Sequence, residues 1–200
     1  EHVPAMIDAA HVVGAVQTRN LGTIGGNLVT CVPSMDSGPT LMALDAQVTI
    51  LGPNGKRQSS LQDLFEGPRK TSLNRDELLL EIIIPKENLG KPAGFIKFGL
   101  RKGQALALVN AASALWLKDD ICHDVRISLG AVAPVVIRAE KAESILEGKK
   151  LSDDLINEAS KIAVDEAKPI DDFRASKEYR NDLIEVAVRR TLKSAMLNSK

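Results

Sequence analysis

Neither sign of charge predominates in this chain of 200 residues, where 26 basic side chains stand against 26 acidic ones. Nucleic acid or an anionic membrane surface would favour a clustered basic excess, so the balance supports neither as a partner. Long apolar runs are missing too, and none approaches the roughly 20 residues that a helix needs to cross a bilayer. A soluble, cytoplasmic protein without a membrane span is expected. Cysteine is scarce: Cys31 and Cys122 lie far apart and show no C-x-x-C or Cys/His metal spacing. Two thiols cannot supply the four thiolates of an iron–sulfur cluster, and both read as small, reduced apolar residues. His2 and His11 have no partner at metal-ligand spacing and read as surface or packing residues. Catalytic signatures are absent as well: there is no nucleophile elbow, zinc-ligand motif or Walker loop, and Gly99–Gly103 lacks the spacing of a P-loop. Neither a catalytic residue nor a metal ligand is expected on this chain.

What the chain does have is one dense stretch, Gln17 to Asp36, reading QTRNLGTIGGNLVTCVPSMD. Within it Thr23-Ile24-Gly25-Gly26-Asn27 places two glycines between a hydroxyl and a carboxamide. Adjacent glycines allow a backbone turn with φ > 0 and remove the Cβ atoms that keep a ligand off the main chain. The freed amides would face an anion such as a phosphate or pyrophosphate, with Thr23 and Asn27 adding side-chain donors at the edges. Asp36 is an acceptor suited to a ribose or base. The bland alternative is a tight Gly-Gly turn followed by an ordinary helix cap.

The longer string, Arg19-Asn20-Leu21-Gly22-Thr23-Ile24-Gly25-Gly26-Asn27 followed by Pro33-Ser34-Met35-Asp36, resembles the second flavin-binding signature of the FAD (medium) subunit of the molybdenum hydroxylases. That family includes xanthine, carbon monoxide and nicotinate dehydrogenases. The resemblance implies that the loop Thr23, Ile24, Gly25, Gly26, Asn27 holds the FAD pyrophosphate and that Asp36 lies on the adenosine side. It implies that Leu79 packs against the flavin. It also implies a flavin-site cation at Lys97, twelve residues after Pro85, with Arg101 matching a basic residue that follows. Where relatives often carry an acid just downstream, this chain has Gly103-Gln104-Ala105. Molybdopterin and [2Fe-2S] clusters would sit on partner chains, a large and a small subunit, and FAD would reduce NAD or another acceptor. Family members also carry a further N-terminal lobe, so the sequence reads as a fragment that lacks it.

A hydrophobic content of 44% allows a substantial core, in one large domain or two small ones. Pro4 suits a first helical turn, with Met6, Ile7, Ala10 and Val13 at helical spacing. Pro39 opens a second helix through Ala46. Gln47–Leu51 and Lys56–Ser60 read as a hairpin across Gly52-Pro53-Asn54-Gly55, Leu61–Phe65 as a helical turn broken at Gly67-Pro68, and Asp76–Pro85 as a buried strand. The glycines around Pro92 mark a boundary between residues 1–92 and 93–200. Beyond it Phe95–Leu100, Leu106–Leu117 and Ile121–Ala131 predict three antiparallel strands in meander order, ended by Pro134, with Trp116 at the core or rim. Helices follow over Arg138–Glu147, then from Ser152 with a stripe through Leu155, Ile156, Ala159, Ile162 and Ala163, and over Ser176–Leu197 with Tyr179, Leu183, Val186, Ala187 and Arg190 on one side. Asp171–Ser176 reads as a solvated loop with a helix cap. The fold class is α+β: a partial FAD-binding α/β lobe of the PCMH type, then a three-stranded antiparallel sheet with helices packed on one face, resembling the carbon monoxide dehydrogenase flavoprotein C-terminal domain.

Three functions are compatible with this reading. The first is an FAD-binding electron-transfer subunit, passing electrons from [2Fe-2S] clusters of a partner through FAD to an acceptor. The second is a subunit-docking module that does not retain FAD without the missing lobe. The third is a self-contained flavin oxidase of the vanillyl-alcohol-oxidase-like group, against which stands the lack of a histidine or cysteine for covalent flavin attachment in the matched loop.

Overall fold

The computed structural model describes residues 3–199, so His2 lies outside the described residues. Four short helices open the chain: α1 (Pro4–His11), α2 (Val16–Leu21), α3 (Ile24–Val29) and α4 (Ser37–Ala43). Pro4 occupies the first turn of α1, where a missing N–H costs nothing. Ala5 and Ala9 form the buried face of α1, and the larger Ile7 remains half exposed. The expected stripe of Met6, Ala10 and Val13 turns instead toward a cleft described below.

Strands β1 (Gln47–Gly52) and β2 (Gly55–Ser60) form the expected hairpin across Pro53-Asn54, and β5 (Leu78–Ile83) pairs with the other side of β1, all antiparallel. Between β2 and β5 lie the helical turn α5 (Leu61–Leu64) and a small hairpin, β3 (Phe65–Gly67) with β4 (Lys70–Thr71), which the proline at 68 had obscured. The buried strand expected at Asp76–Pro85 is corrected: β5 is an edge strand, with Leu78 70% and Leu80 43% exposed. An apolar run specifies a strand, but whether a partner covers its second face is set by topology.

A second sheet runs in the order β6 (Ala93–Gly99), β7 (Ala107–Lys118), β8 (Ile121–Gly130), β9 (Ile137–Arg138). The antiparallel meander is as expected, and Asp119-Asp120, both at positive φ, turn the chain between β7 and β8. The expected count of three strands is corrected by β9, whose two residues pair with Ser128 and Leu129 beyond Pro134. Trp116 sits at the rim, 36% exposed.

Helices α6 (Glu140–Leu146), α7 (Asp153–Glu166) and α8 (Lys177–Asn198) cover one face of this sheet, where Val109, Ala111 and Leu115 join the main core. The other face is covered too. Ala112 and Ala114 of β7 meet Ala43 and Leu44 at the end of α4 and Ala5 of α1. Small side chains permit this close approach, and double coverage explains why nine consecutive residues of β7, Ala107–Leu115, are buried. The small sheet, α4 and α5 enclose a separate cluster around Leu28, Val48, Ile50 and Leu64. Both cysteines are free and buried, and among the described residues no helix is long and apolar enough to cross a membrane.

The buried face of α8 is rotated from the expected one: Tyr179 is half exposed and Arg180 is buried, 2% exposed. Arg180 donates to the Leu108 carbonyl at 2.6 Å and to Asp172 at 3.0 Å. Ser176 caps α8 as expected, accepting from the Tyr179 N–H, but Asp171–Ser176 is not simply solvated, because Asp172 is the counter-charge for both Arg174 and Arg180. The Arg174 guanidinium and N–H and the Arg180 charge hold the Asp172 carboxyl well below the usual carboxylate range. A carboxyl with a depressed folded pKa contributes stability that is complete above its unfolded value of about 3.9 and is lost as pH falls through the folded value. Asp172→Asn should therefore destabilise the protein equally at pH 8 and pH 5 and progressively less below about pH 4, as measured by urea unfolding midpoints.

Candidate functional site

The glycine pair adopts a different conformation from the expected one. Gly25 and Gly26 lie in the first turn of α3, and neither has a positive φ. Thr23 decides this: it is the N-cap, extended in backbone, with its Oγ1 accepting the Gly26 N–H at 2.9 Å. Such a cap contributes about 1 kcal/mol, while each glycine costs a helix about 1 kcal/mol relative to alanine. The pair is therefore no aid to the helix; its effect is access. As the first two helical residues, Ile24 and Gly25 present amides that have no intrahelical acceptor. The Asn27 N–H is committed to the Thr23 carbonyl.

Thr23, Ile24, Gly26 and Asn27 line one side of a cleft of about 570 Å³, and Met6 and Ala10 of α1, with Val13 just beyond that helix, line another. Arg19 also lines it; its guanidinium donates to the Val13 carbonyl at 2.9 Å and has no carboxylate partner among the described residues. A second cavity of about 400 Å³ adjoins the first, sharing Val13, Thr18 and Asn27 with it and reaching Asp36 and Leu106. The two form one groove that bends past Asn27. Leu79 of β5 reaches the loop from the outside, its Cδ2 3.6 Å from where a Cβ on Gly25 would stand.

Asp36 and Lys97 meet each other. The Lys97 Nζ is 2.7 Å from Asp36 Oδ2, both side chains are 8% exposed, and the same ammonium donates to the Val12 carbonyl at 3.0 Å. Asn110 of β7 donates to Asp36 Oδ1 at 3.1 Å and to the Met35 carbonyl at 2.9 Å. Burial pushes the Asp36 carboxyl above the usual carboxylate range, with the Lys97 hydrogen bond and charge and then the Asn110 amide acting against that shift. Asp36 lines the smaller cavity, whereas Lys97 stands behind it and lines neither. Arg101 lies apart, its guanidinium spent on the Gly103 and Gln104 carbonyls of its own loop.

The sequence reading missed Asn110 and Ser37. Asn110 carried a signal, a carboxamide inside the run Ala107–Leu115, where every neighbour is small or apolar. Ser37, next to Asp36, carried none. Removing one member of a buried ion pair costs about 3–5 kcal/mol because the other charge is stranded. Lys97→Met should accordingly lower stability by about that amount, and adding Asp36→Leu to it should recover part of the loss. Chemical denaturation of both variants checks this.

Two family models match the chain: residues 1–87 match the FAD binding domain in molybdopterin dehydrogenase and residues 95–195 the CO dehydrogenase flavoprotein C-terminal domain. The glyceraldehyde dehydrogenase medium chain of Sulfolobus acidocaldarius is 32% identical over 96% of this chain and 67% of its own length. The nicotine 6-hydroxylase medium subunit of Paenarthrobacter nicotinovorans is 33% identical over 98% of this chain and 68% of its own. A solved structure of carbon monoxide dehydrogenase from Hydrogenophaga pseudoflava superimposes with a TM-score of 0.94 at 28% identity, over 98% of this chain and 68% of that one. A capped glycine helix at the mouth of a cleft and matches along both halves of the chain lead to one conclusion: the chain belongs to the FAD-binding medium subunits of the molybdenum hydroxylases, the flavoprotein components of these oxidoreductases.

Proposed function

We propose that this chain is the electron-transfer flavoprotein of a molybdenum-containing hydroxylase or dehydrogenase, and that the groove past Asn27 is where its residues hold FAD. FAD, when bound, supplies the relay between [2Fe-2S] clusters of a small partner subunit, fed by a large molybdopterin subunit, and NAD or another acceptor. The observation that carries the reading is the set of unspent donors at the start of α3. Thr23 and Ile24 line one edge of a cleft whose opposite wall is apolar, so the Thr23 hydroxyl and the Ile24 amide lie at that edge, with the Gly25 amide next to them in the same open turn. A diphosphate fits that donor set: it needs several N–H and O–H donors close to main chain, and Arg19 adds the only cationic side chain among the described residues lining this cleft.

The remaining residues divide the work. Asp36, in the adjoining cavity, offers acceptors for the hydroxyls of an adenosine moiety, consistent with its place beyond Asn27. Leu79 offers an apolar side chain beside Gly25, on which a flat ring system packs. Lys97 acts from behind Asp36 by fixing its charge and orientation. In this reading residues 1–92 carry the donor loop and residues 93–200 the platform that holds Asp36. Two free, buried cysteines fit a reducing compartment, and cytoplasmic location is part of the proposal.

One observation favours a second reading. Leu21, which lines the cleft, is 90% exposed, and Leu78, next to Leu79 on β5, is 70% exposed, so apolar surface is open on this side. A chain that folds and docks on partners but releases flavin would have this appearance. The two readings separate in one experiment, the visible spectrum of the purified chain after adding FAD and removing the excess. A retained flavin band is expected; its absence favours the docking reading. Gly26→Asp, which sets a carboxylate beside the Thr23 cap, should abolish retention with the circular dichroism unchanged, and retention by that variant would contradict the assignment of the loop.

A further inference from the structure

Asn27 can serve a diphosphate with only one end of its side chain. The Nδ2 group would donate to phosphate oxygens, and the Oδ1 would repel them. On an exposed surface the carboxamide rotates and offers either. Here a single neighbour removes the choice. The Ser37 backbone N–H lies 3.4 Å from Asn27 Oδ1, and the Ser37 hydroxyl donates to the same oxygen at 2.6 Å. A backbone N–H can only donate, so the atom facing it must be the oxygen. Nδ2 is left as the free end, without a partner among the described residues, on a side chain that lines both cavities at the bend of the groove.

Ser37 is itself immobile. It is 2% exposed and begins α4, every residue of which is buried. Its neighbour Asp36 is tied to Lys97 of β6 and Asn110 of β7. Asn110 in turn needs Gly130, its register partner on β8, because a Cβ there would overlap Asn110 Oδ1. A continuous set of contacts therefore runs from the second sheet through Asp36 and Ser37 to Asn27.

We propose that Ser37 is a positioning residue for the cofactor: it locks the Asn27 carboxamide with its NH₂ toward the diphosphate, and the Asp36–Lys97–Asn110 cluster holds Ser37 in place to do so. The proposal rests on the FAD reading above. Ser37 also borders the larger cleft, but it is 2% exposed and its hydroxyl is spent on Asn27 Oδ1, so its effect on the ligand passes through Asn27, which separates it from a residue that merely supports the fold.

The test is a double-mutant cycle on FAD affinity, measured by flavin fluorescence titration of the full chain, with urea unfolding of each flavin-free variant alongside. Ser37→Ala keeps the long backbone contact at 3.4 Å, which marks the orientation, but removes the 2.6 Å hydroxyl bond that holds it, and should weaken FAD binding by about tenfold, the size expected when a hydrogen bond to a charged group loses its alignment. Asn27→Ala should weaken it at least as much, and Ser37→Ala/Asn27→Ala should bind no more weakly than Asn27→Ala alone. Losses that multiply in the double variant would overturn the proposal, as would Ser37→Ala binding FAD like the wild type. A wild-type chain that binds no FAD would overturn the cofactor reading and this proposal together, so the two failures are distinguishable.

Discussion

The contact on which the site depends is the largely buried ion pair between Asp36 and Lys97, 2.7 Å apart. Its two members come from opposite halves of the chain, one from the segment after the glycine helix and the other from the second sheet. A charge pair in such a place adds little net stability, since desolvation opposes the attraction. Its contribution here is geometric. Asp36 can occupy only the position where Lys97 and Asn110 both reach it, and this fixes Ser37 and the start of α4. The same segment forms the seam where Ala43 and Leu44 meet Ala112 and Ala114. The glycine loop is thus anchored by the sheet that lies beyond it, although among the described residues the sheet contributes no side chain to the larger cleft.

The exposed part of the site follows a different logic. Helix α3 buries only Leu28, contains two residues that weaken helices, and leaves Ile24 and Gly25 with open amides. Unmade hydrogen bonds at an accessible helix start cost little, because water fills them, and they are then available to an anion. A buried floor and an open mouth together leave these amides accessible.

Much of this was legible in local sequence. The Asn-Gly hairpin, the capping serines at 152 and 176, and the meander of β6 to β8 follow from turn and cap chemistry and from strand patterns. The glycine loop and Asp36 were singled out by their residue types, and Leu79 and Lys97 by resemblance; the structure pairs Asp36 with Lys97 and sets Leu79 beside Gly25. The conformation of the glycines was not legible, since a Gly-Gly pair is compatible with a turn or a helix and the neighbouring Thr23 settles it. Long-range partners were not legible either. Nothing in the local pattern says that Lys97 meets Asp36, that Arg180 faces inward to Asp172, or that β5 remains an edge, because each depends on a residue or strand far along the chain. Asn110 shows the intermediate case: a carboxamide in an apolar strand signals a buried partner without naming it.

The central claim is that the start of α3 is the diphosphate site, and amide nuclear magnetic resonance of the isotope-labelled chain tests it most directly. On titration with FAD, the account predicts that the Ile24 and Gly25 amide signals move first and furthest, with the Asn27 side-chain NH₂ moving alongside them. Flavin binding that left these three signals in place, and shifted residues elsewhere, would contradict it.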